Sequence, residues 1–136
     1  VVHGGASLTS PAVVDDETEA AIEALCPLAP LHNPANLEGI RVARRAFPGP
    51  HVAVFDTAFH ASMPPEAYTY ALPLALRDRH GIRRYGFHGT SYDYLLDKAA
   101  GVVGKPRGEV SAVLCHLGNG ASMAAVRHGQ CIDTSM

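Results

Sequence analysis

No Cys-x-x-Cys pair occurs anywhere in this chain of 136 residues. Its three cysteines, Cys26, Cys115 and Cys131, are odd in number and far apart. That pattern argues against a disulfide framework or a zinc knuckle. It fits reduced thiols in a cytoplasmic protein, with Cys115 and Cys131 packing as small apolar strand residues. An excess of basic charge is also missing: 11 Lys and Arg face 13 Asp and Glu, a formal net charge of −2. No electrostatic footprint for nucleic acid follows from that balance. No apolar run approaches the roughly 18 residues of a membrane span. The opening VVHGGASLTS has neither the basic nor the apolar region of a signal peptide. Eight histidines are present, but no two stand three or four apart. A helical metal pair, and with it a histidine-rich metallohydrolase, is therefore disfavoured, and no metal ligand is assigned.

What is present is an ordinary globular balance, 47% hydrophobic and 18% charged. The length suits one domain, burying roughly two thirds of its unfolded surface. Both ends read as interrupted: Val1-Val2 opens in mid-strand without an initiator Met, and the last residues follow another strand-like stretch. An internal segment of a longer protein is expected.

The elements alternate in an α/β manner. Val1 to Gly5 reads as a strand end entering a glycine turn. Asp15-Asp16-Glu17 opens a helix, its acids at the positive end, which stops before Pro27. Asn33-Pro34 reads as a cap and a first-turn proline, with Leu37, Ile40, Ala43 and Phe47 as the apolar face behind them. His51 to Phe55 reads as a short buried strand with Asp56 at its carboxyl end, where α/β sheets gather ligands. Two short helical pieces, 66–72 and 74–79, are split by Pro73, and Gly81 closes the second. After the glycine-punctuated loop around His88, Thr90 or Ser91 caps a helix that ends at Gly101. A β-meander follows, about 110–116, 121–127 and 130–133. His32, His60, His88 and His116 fall 28 residues apart, but their flanks do not repeat, so the period is chance.

The loop His116-Leu117-Gly118-Asn119-Gly120 carries the most information. A strand, a tight Gly-Asn-Gly bend and a second strand bring several backbone N–H groups together, a geometry suited to phosphate oxygens. Asn-Gly is equally the commonest two-residue hairpin turn. On the turn alone, the structural reading outweighs the ligand site. Three more punctuated loops each carry one polar residue suited to chemistry: His32, Asp56 and His88. Together the loop positions imply a cleft.

VVHGG, APLHNPANLEGI, VAVFDTAFHASMP, YALP, HGIRRYGFHGTS and CHLGNGASMAAV then DTSM run in order along nearly the whole chain. They resemble the acetate kinase family, short-chain carboxylate kinases of the acetokinase type, and cover about the middle third of such an enzyme. The resemblance implies a segment of a two-domain α/β fold of the actin, hexokinase and sugar-kinase (ribonuclease H-like) kind. Residues 1–57 would end the first domain and residues 58–136 would begin the second. It implies reversible transfer of the ATP γ-phosphoryl group to acetate, giving acetyl phosphate and ADP, with Mg2+, in a cytoplasmic homodimer.

By the same resemblance, Asp56, His88 and His32 are catalytic, with His88 on the transferring phosphoryl group. His116, Leu117, Gly118, Asn119 and Gly120 hold the nucleotide phosphates, and Val2, Leu31 and Phe87 form the pocket around the acetate methyl. Val2 fills more space than the residue associated with propionate kinases, which favours acetate over propionate. A substrate-binding arginine is implied just upstream of Val1. A second arginine, the adenine-binding segments and a magnesium-binding glutamate would also lie outside, so the segment alone is expected to be inactive. A non-catalytic relative that keeps the phosphate loop is the remaining alternative. Two departures stand out: Ala6, where an acid is common, and Tyr92, where histidine is common.

Overall fold

The computed structural model describes residues 1–136. The chain divides into two compact units, Val1–Ala58 and Phe59–Met136.

In the first unit, β1 (Ala12–Val13) pairs antiparallel with β2 (Val52–Ala53). Helix α1 (Asp16–Ala24) begins where the Asp15 side chain accepts the Thr18 N–H at 2.7 Å, with Asp16, Glu17 and Glu19 in its first turn. This is the charge placement a helix N-terminus favours. A 3₁₀ turn over Cys26–Leu28 then carries Pro27. Helix α2 (Asn33–Ala46) packs beside α1. The core is Val14, Ile22, Leu37, Ala53 and Phe55.

Three expectations change here. Asn33 does not cap α2. Its carboxamide is buried and pairs with the His3 backbone, accepting the N–H at 3.0 Å and donating to the carbonyl at 3.0 Å. The amide stands in for a neighbouring strand. Leaving those two buried groups bare would cost about 1–3 kcal/mol each, against roughly 1 kcal/mol for a cap. Phe47 is not on the apolar face: it is 67% exposed at the end of α2. The 51–55 strand is not buried throughout. Ala53 and Phe55 face the core while Val52 and Val54 are exposed, the alternation of a sheet with one covered face.

Glu19 joins the two helices. It takes a 2.6 Å hydrogen bond from Arg41 and another of 2.6 Å from Arg44. First the Arg41 bond and then the Arg44 bond hold its carboxyl below the usual range, with burial opposing. A depressed carboxyl stabilises the fold fully above its unfolded pKa, about 4.3. That stabilisation drains away as pH falls through the lowered native value. Urea midpoints measured against pH should therefore fall more steeply below about pH 4.3 for the parent than for Glu19→Gln. Parallel curves would show that the network does not couple to folding.

The second unit holds α3 (Pro65–Tyr68), α4 (Leu74–His80), α5 (Gly89–Val103) and a meander of β3 (Ala112–Leu117), β4 (Ala121–Arg127) and β5 (Gln130–Thr134). Gly81 closes α4 in the left-handed region, as expected. Tyr92, Leu96 and Ala100 recur every fourth residue on α5 and are buried with Leu114, Ala124, Val126 and Cys131. Arg84 ties the loop before α5 to β5, donating to Asp133 at 2.6 Å and to the Thr134 carbonyl at 2.7 Å.

Helix α5 is longer than its sequence signals implied. Gly101 lies inside it, and the left-handed Gly104 ends it. Its N-cap is His88, not Thr90 or Ser91. Cys131 is buried as expected, but Cys115 is exposed on β3. No helix is long and apolar enough to cross a membrane.

Candidate active site

The hairpin between β3 and β4 sets the register of the second unit's site. Leu117 faces Ala121 and His116 faces Ser122, leaving Gly118, Asn119 and Gly120 as a three-residue loop. It is not the primed Asn-Gly turn. Neither Gly118 nor Gly120 has positive φ. The primed geometry occurs instead at His128 (φ 49°) and Gly129 (φ 76°), between the paired Arg127 and Gln130. The Gly118 N–H closes the loop onto the Gly120 carbonyl at 3.3 Å. The backbone donors expected of the bend therefore come down to Asn119 and Gly120.

The two glycines have a second reason to be there. A Cβ on Gly118 would lie 3.4 Å from His116 Nε2, and one on Gly120 would lie 3.3 Å from His88 Nε2. Both imidazoles thus present the same nitrogen to the hairpin. Their rings stack, with centroids 4.2 Å apart and planes 21° from parallel. Each is held through the other nitrogen by a serine: His88 Nδ1 lies 2.7 Å from Ser122 Oγ, and His116 Nδ1 lies 3.0 Å from Ser91 Oγ. The stack with its glycine edge can offer two N–H donors to one anionic group.

His88 is held against its backbone preference. Its φ of 59° is left-handed, a region that few residues other than glycine enter. The loop before it is braced by His60, which is fully buried. His60 Nε2 lies 2.8 Å from the Phe87 carbonyl. A carbonyl only accepts, so that nitrogen carries the ring proton. His60 Nδ1 then faces Cys131 Sγ at 3.2 Å. Burial pushes the Cys131 thiol up to about 11, so it meets the ring as S–H. Gly86 (φ 84°) lets the loop pass over the His60 ring.

In the first unit, the 1–4 segment meets the residues after β2. The Asp56 N–H donates to the Val1 carbonyl at 3.0 Å and the Thr57 N–H to the Val2 carbonyl at 3.2 Å. Thr57 Oγ1 accepts the Gly4 N–H at 2.9 Å, and Asn36 accepts the Val2 N–H at 3.0 Å. Asp56 is half-buried beside Val1 and Val2. His32, exposed, is the N-cap of α2 next to Asn33. Burial lowers the pKa of His3, which leaves it a neutral acceptor for the Gly5 N–H at 2.9 Å. Val2 is half-buried in this unit and Leu31 is 86% exposed; Phe87 is half-buried in the second unit.

The structure thus brings His88, His116 and the hairpin together in one unit, and Asp56 and Val2 together in the other. Sequence reasoning assigned no site role to Ser122, Tyr92, Ser91 or His60. Two signals were available. A three-residue loop puts Ser122 opposite His116, and Tyr92 stands one helical turn beyond His88. No group of three or more His, Cys, Asp or Glu stands ready to hold a metal ion. A single carboxylate such as Asp56, completed by phosphate oxygens, is still compatible with Mg2+, which rarely takes an all-protein cage.

Known proteins resemble this arrangement closely. The acetate kinase of Leifsonia xyli is 58% identical over 137 residues, covering 100% of this chain and 34% of that protein. The acetate kinase of Thermotoga petrophila is 55% identical with the same coverage. The chain therefore spans about a third of the length of these relatives. The crystal structure of Porphyromonas gingivalis acetate kinase superposes on all of it with a TM-score of 0.95 at 44% identity, over 34% of that chain. A propionate kinase from Francisella tularensis superposes with a TM-score of 0.93 at 47% identity, over 35% of that chain. The α/β fold is thus a segment of the actin- and hexokinase-like fold of acetate kinases. The family model of the acetokinases matches residues 1–136, and with these relatives it shows that the chain belongs to the acetokinase family.

Proposed function

We propose that the whole protein carrying this chain transfers the γ-phosphoryl group of ATP reversibly to acetate, giving acetyl phosphate and ADP. The observation that carries this reading is the stacked His88–His116 pair, both Nε2 edges set against a glycine hairpin. A carboxylic acid with a pKa near 4.3 is already ionised at neutral pH, so the acceptor needs no general base. What it needs is two anions brought together and charge on the phosphoryl oxygens stabilised. His88 supplies an N–H to the migrating group. His116, Leu117, Gly118, Asn119 and Gly120 hold the nucleotide phosphates, with Asn119 and Gly120 as the backbone donors.

Asp56 orients cationic partners and moves no proton. Bound Mg2+ would neutralise phosphate charge, and Asp56 is the carboxylate on hand to orient it. His32 has a lesser role at the head of α2. By resemblance to the family, Val2 and Leu31 in the first unit and Phe87 in the second are the residues assigned to the acetate methyl. Residues 1–57 end one kinase domain and residues 58–136 begin the next. The protein is a cytoplasmic homodimer in this reading.

A second reading takes propionate as the acceptor. It is supported by the 47% identity to the Francisella protein. One methylene is worth only about 1–3 kcal/mol in an apolar pocket, and the bulk of Val2 favours acetate. The test is a hydroxamate assay of acyl phosphate formation by the whole protein, with kcat/KM compared for acetate and propionate. Higher kcat/KM for acetate is expected. A clear preference for propionate would move the assignment to the second reading, and no acyl phosphate from either acid would remove both.

A further inference from the structure

We propose that Tyr92 and Ser122 are positioning residues for His88, a buried hydroxyl chain that keeps the ring proton on Nε2 and so aims an N–H at the glycine hairpin. The catalytic half of this proposal rests on the reading given above; the geometric half does not.

The direction of the chain follows from what each group can do. Tyr92 is fully buried, and its hydroxyl hydrogen-bonds to Ser122 Oγ. A phenol is a stronger acid than an alcohol, so in this bond Tyr92 is the donor and Ser122 the acceptor. Ser122 Oγ, also buried, has His88 Nδ1 at 2.7 Å as its other partner. Having received the phenolic proton on one lone pair, it sends its own to Nδ1. An imidazole that accepts at Nδ1 carries its hydrogen at Nε2. The reverse order would have Nδ1–H donate to Ser122 and Ser122 donate to Tyr92, which makes the weaker acid the donor to the stronger. Burial also raises the phenol pKa, so that proton stays in place.

The chain is built from three separate elements. His88 is the N-cap of α5 and Tyr92 stands one turn along that helix. Ser122 comes from β4, where pairing sets it opposite His116. Its effect is delivered at Gly120, where a Cβ would meet His88 Nε2 at 3.3 Å. Tyr92 and Ser122 touch no substrate in this proposal. They act through the tautomer of His88 alone.

The test uses the whole protein with 15N-labelled histidine. Long-range proton–nitrogen correlation at mildly alkaline pH reads the tautomer of the neutral His88 ring, and steady-state kinetics are measured in parallel. The parent is expected to show the Nε2–H form. Tyr92→Phe and, independently, Ser122→Ala should convert the ring to the Nδ1–H form or a mixture. Each should lower kcat by roughly 10–100-fold, as loss of a partner that orients a functional histidine does, with KM nearly unchanged.

An Nδ1–H ring in the parent overturns the proposal, and that measurement needs no variant. Retention of the Nε2–H form in both variants overturns it whatever their kcat, since a merely structural loss leaves the tautomer alone. A changed tautomer with unchanged kcat overturns the catalytic half. The expected tautomers in a protein that makes no acyl phosphate would leave the hydroxyl chain standing and remove the phosphotransfer reading instead.

Discussion

Replacing His88 with asparagine is expected to lower kcat for acetyl phosphate formation by about 10²–10³-fold, the usual cost of one donor to developing charge. KM for acetate and ATP should move little, because the lost bond is strongest in the transition state. Asparagine is chosen for the backbone. His88 sits at φ 59°, and asparagine tolerates that region far better than alanine. With alanine, roughly 1–2 kcal/mol of left-handed strain would be mixed into the result. The variant therefore removes the imidazole, the stack on His116 and the bond to Ser122 while leaving the start of α5 in place. The assay is steady-state kinetics on the whole protein, with a urea midpoint to confirm an unchanged fold. An activity loss below tenfold in a folded variant would take His88 out of the phosphoryl-transfer role and leave its strained backbone without a function.

The second large effect is on stability. Gly86→Ala is expected to destabilise by about 2–5 kcal/mol, the sum of left-handed strain, about 1–2, and overpacking, about 1–3. The cause is specific. Gly86 has a φ of 84°, and a Cβ there would lie 2.5–2.8 Å from three atoms of the His60 ring. That ring cannot retreat. It is fully buried, bonded to the Phe87 carbonyl at 2.8 Å and to Cys131 at 3.2 Å, and edged against Phe59 and Tyr92. Gly101→Ala is the control. It makes the same chemical change inside α5, where a Cβ would meet nothing within 4 Å. It should stabilise by about 0.5–1 kcal/mol, because helical glycine is entropically costly. Denaturant midpoints at constant m-value would measure both. Similar midpoints for the two variants would mean that His60 does not brace the loop.

These two positions also mark how far the sequence could be read. Gly86 and His88 stand in one loop, and the motif around them resembles a kinase signature strongly enough to pick out His88. Its neighbours in the motif do not say why the glycine is needed. That depends on His60, 26 positions earlier by residue number, being folded beneath it. Asn33 shows the same limit at close range. Asn-Pro is a fair helix-start signal, and α2 does begin at Asn33. The side chain nevertheless leaves the cap to serve His3, because two buried backbone groups outweigh one cap. The hairpin misled in another way. Asn119-Gly120 has the composition of a primed turn, but strand pairing sets a three-residue loop there and gives the primed turn to His128-Gly129.

By itself, the sequence determined the helix starts at Asp15 and Asn33, the start of α4 behind Pro73, the strands of the meander, and the motifs that resemble the acetokinases. Each depends on residues adjacent in the chain or repeating at a helical or strand period, so local physics suffices. Tertiary structure alone decided that His88 and His116 stack, that Ser122 and Ser91 each hold one ring, and that His60 braces the loop. Those contacts join residues 25 to 34 positions apart. Their hydrogen-bond directions depend on burial and on which partner can only donate or only accept. No local pattern carries that information, because it arises only once the strands and α5 have closed over Tyr92.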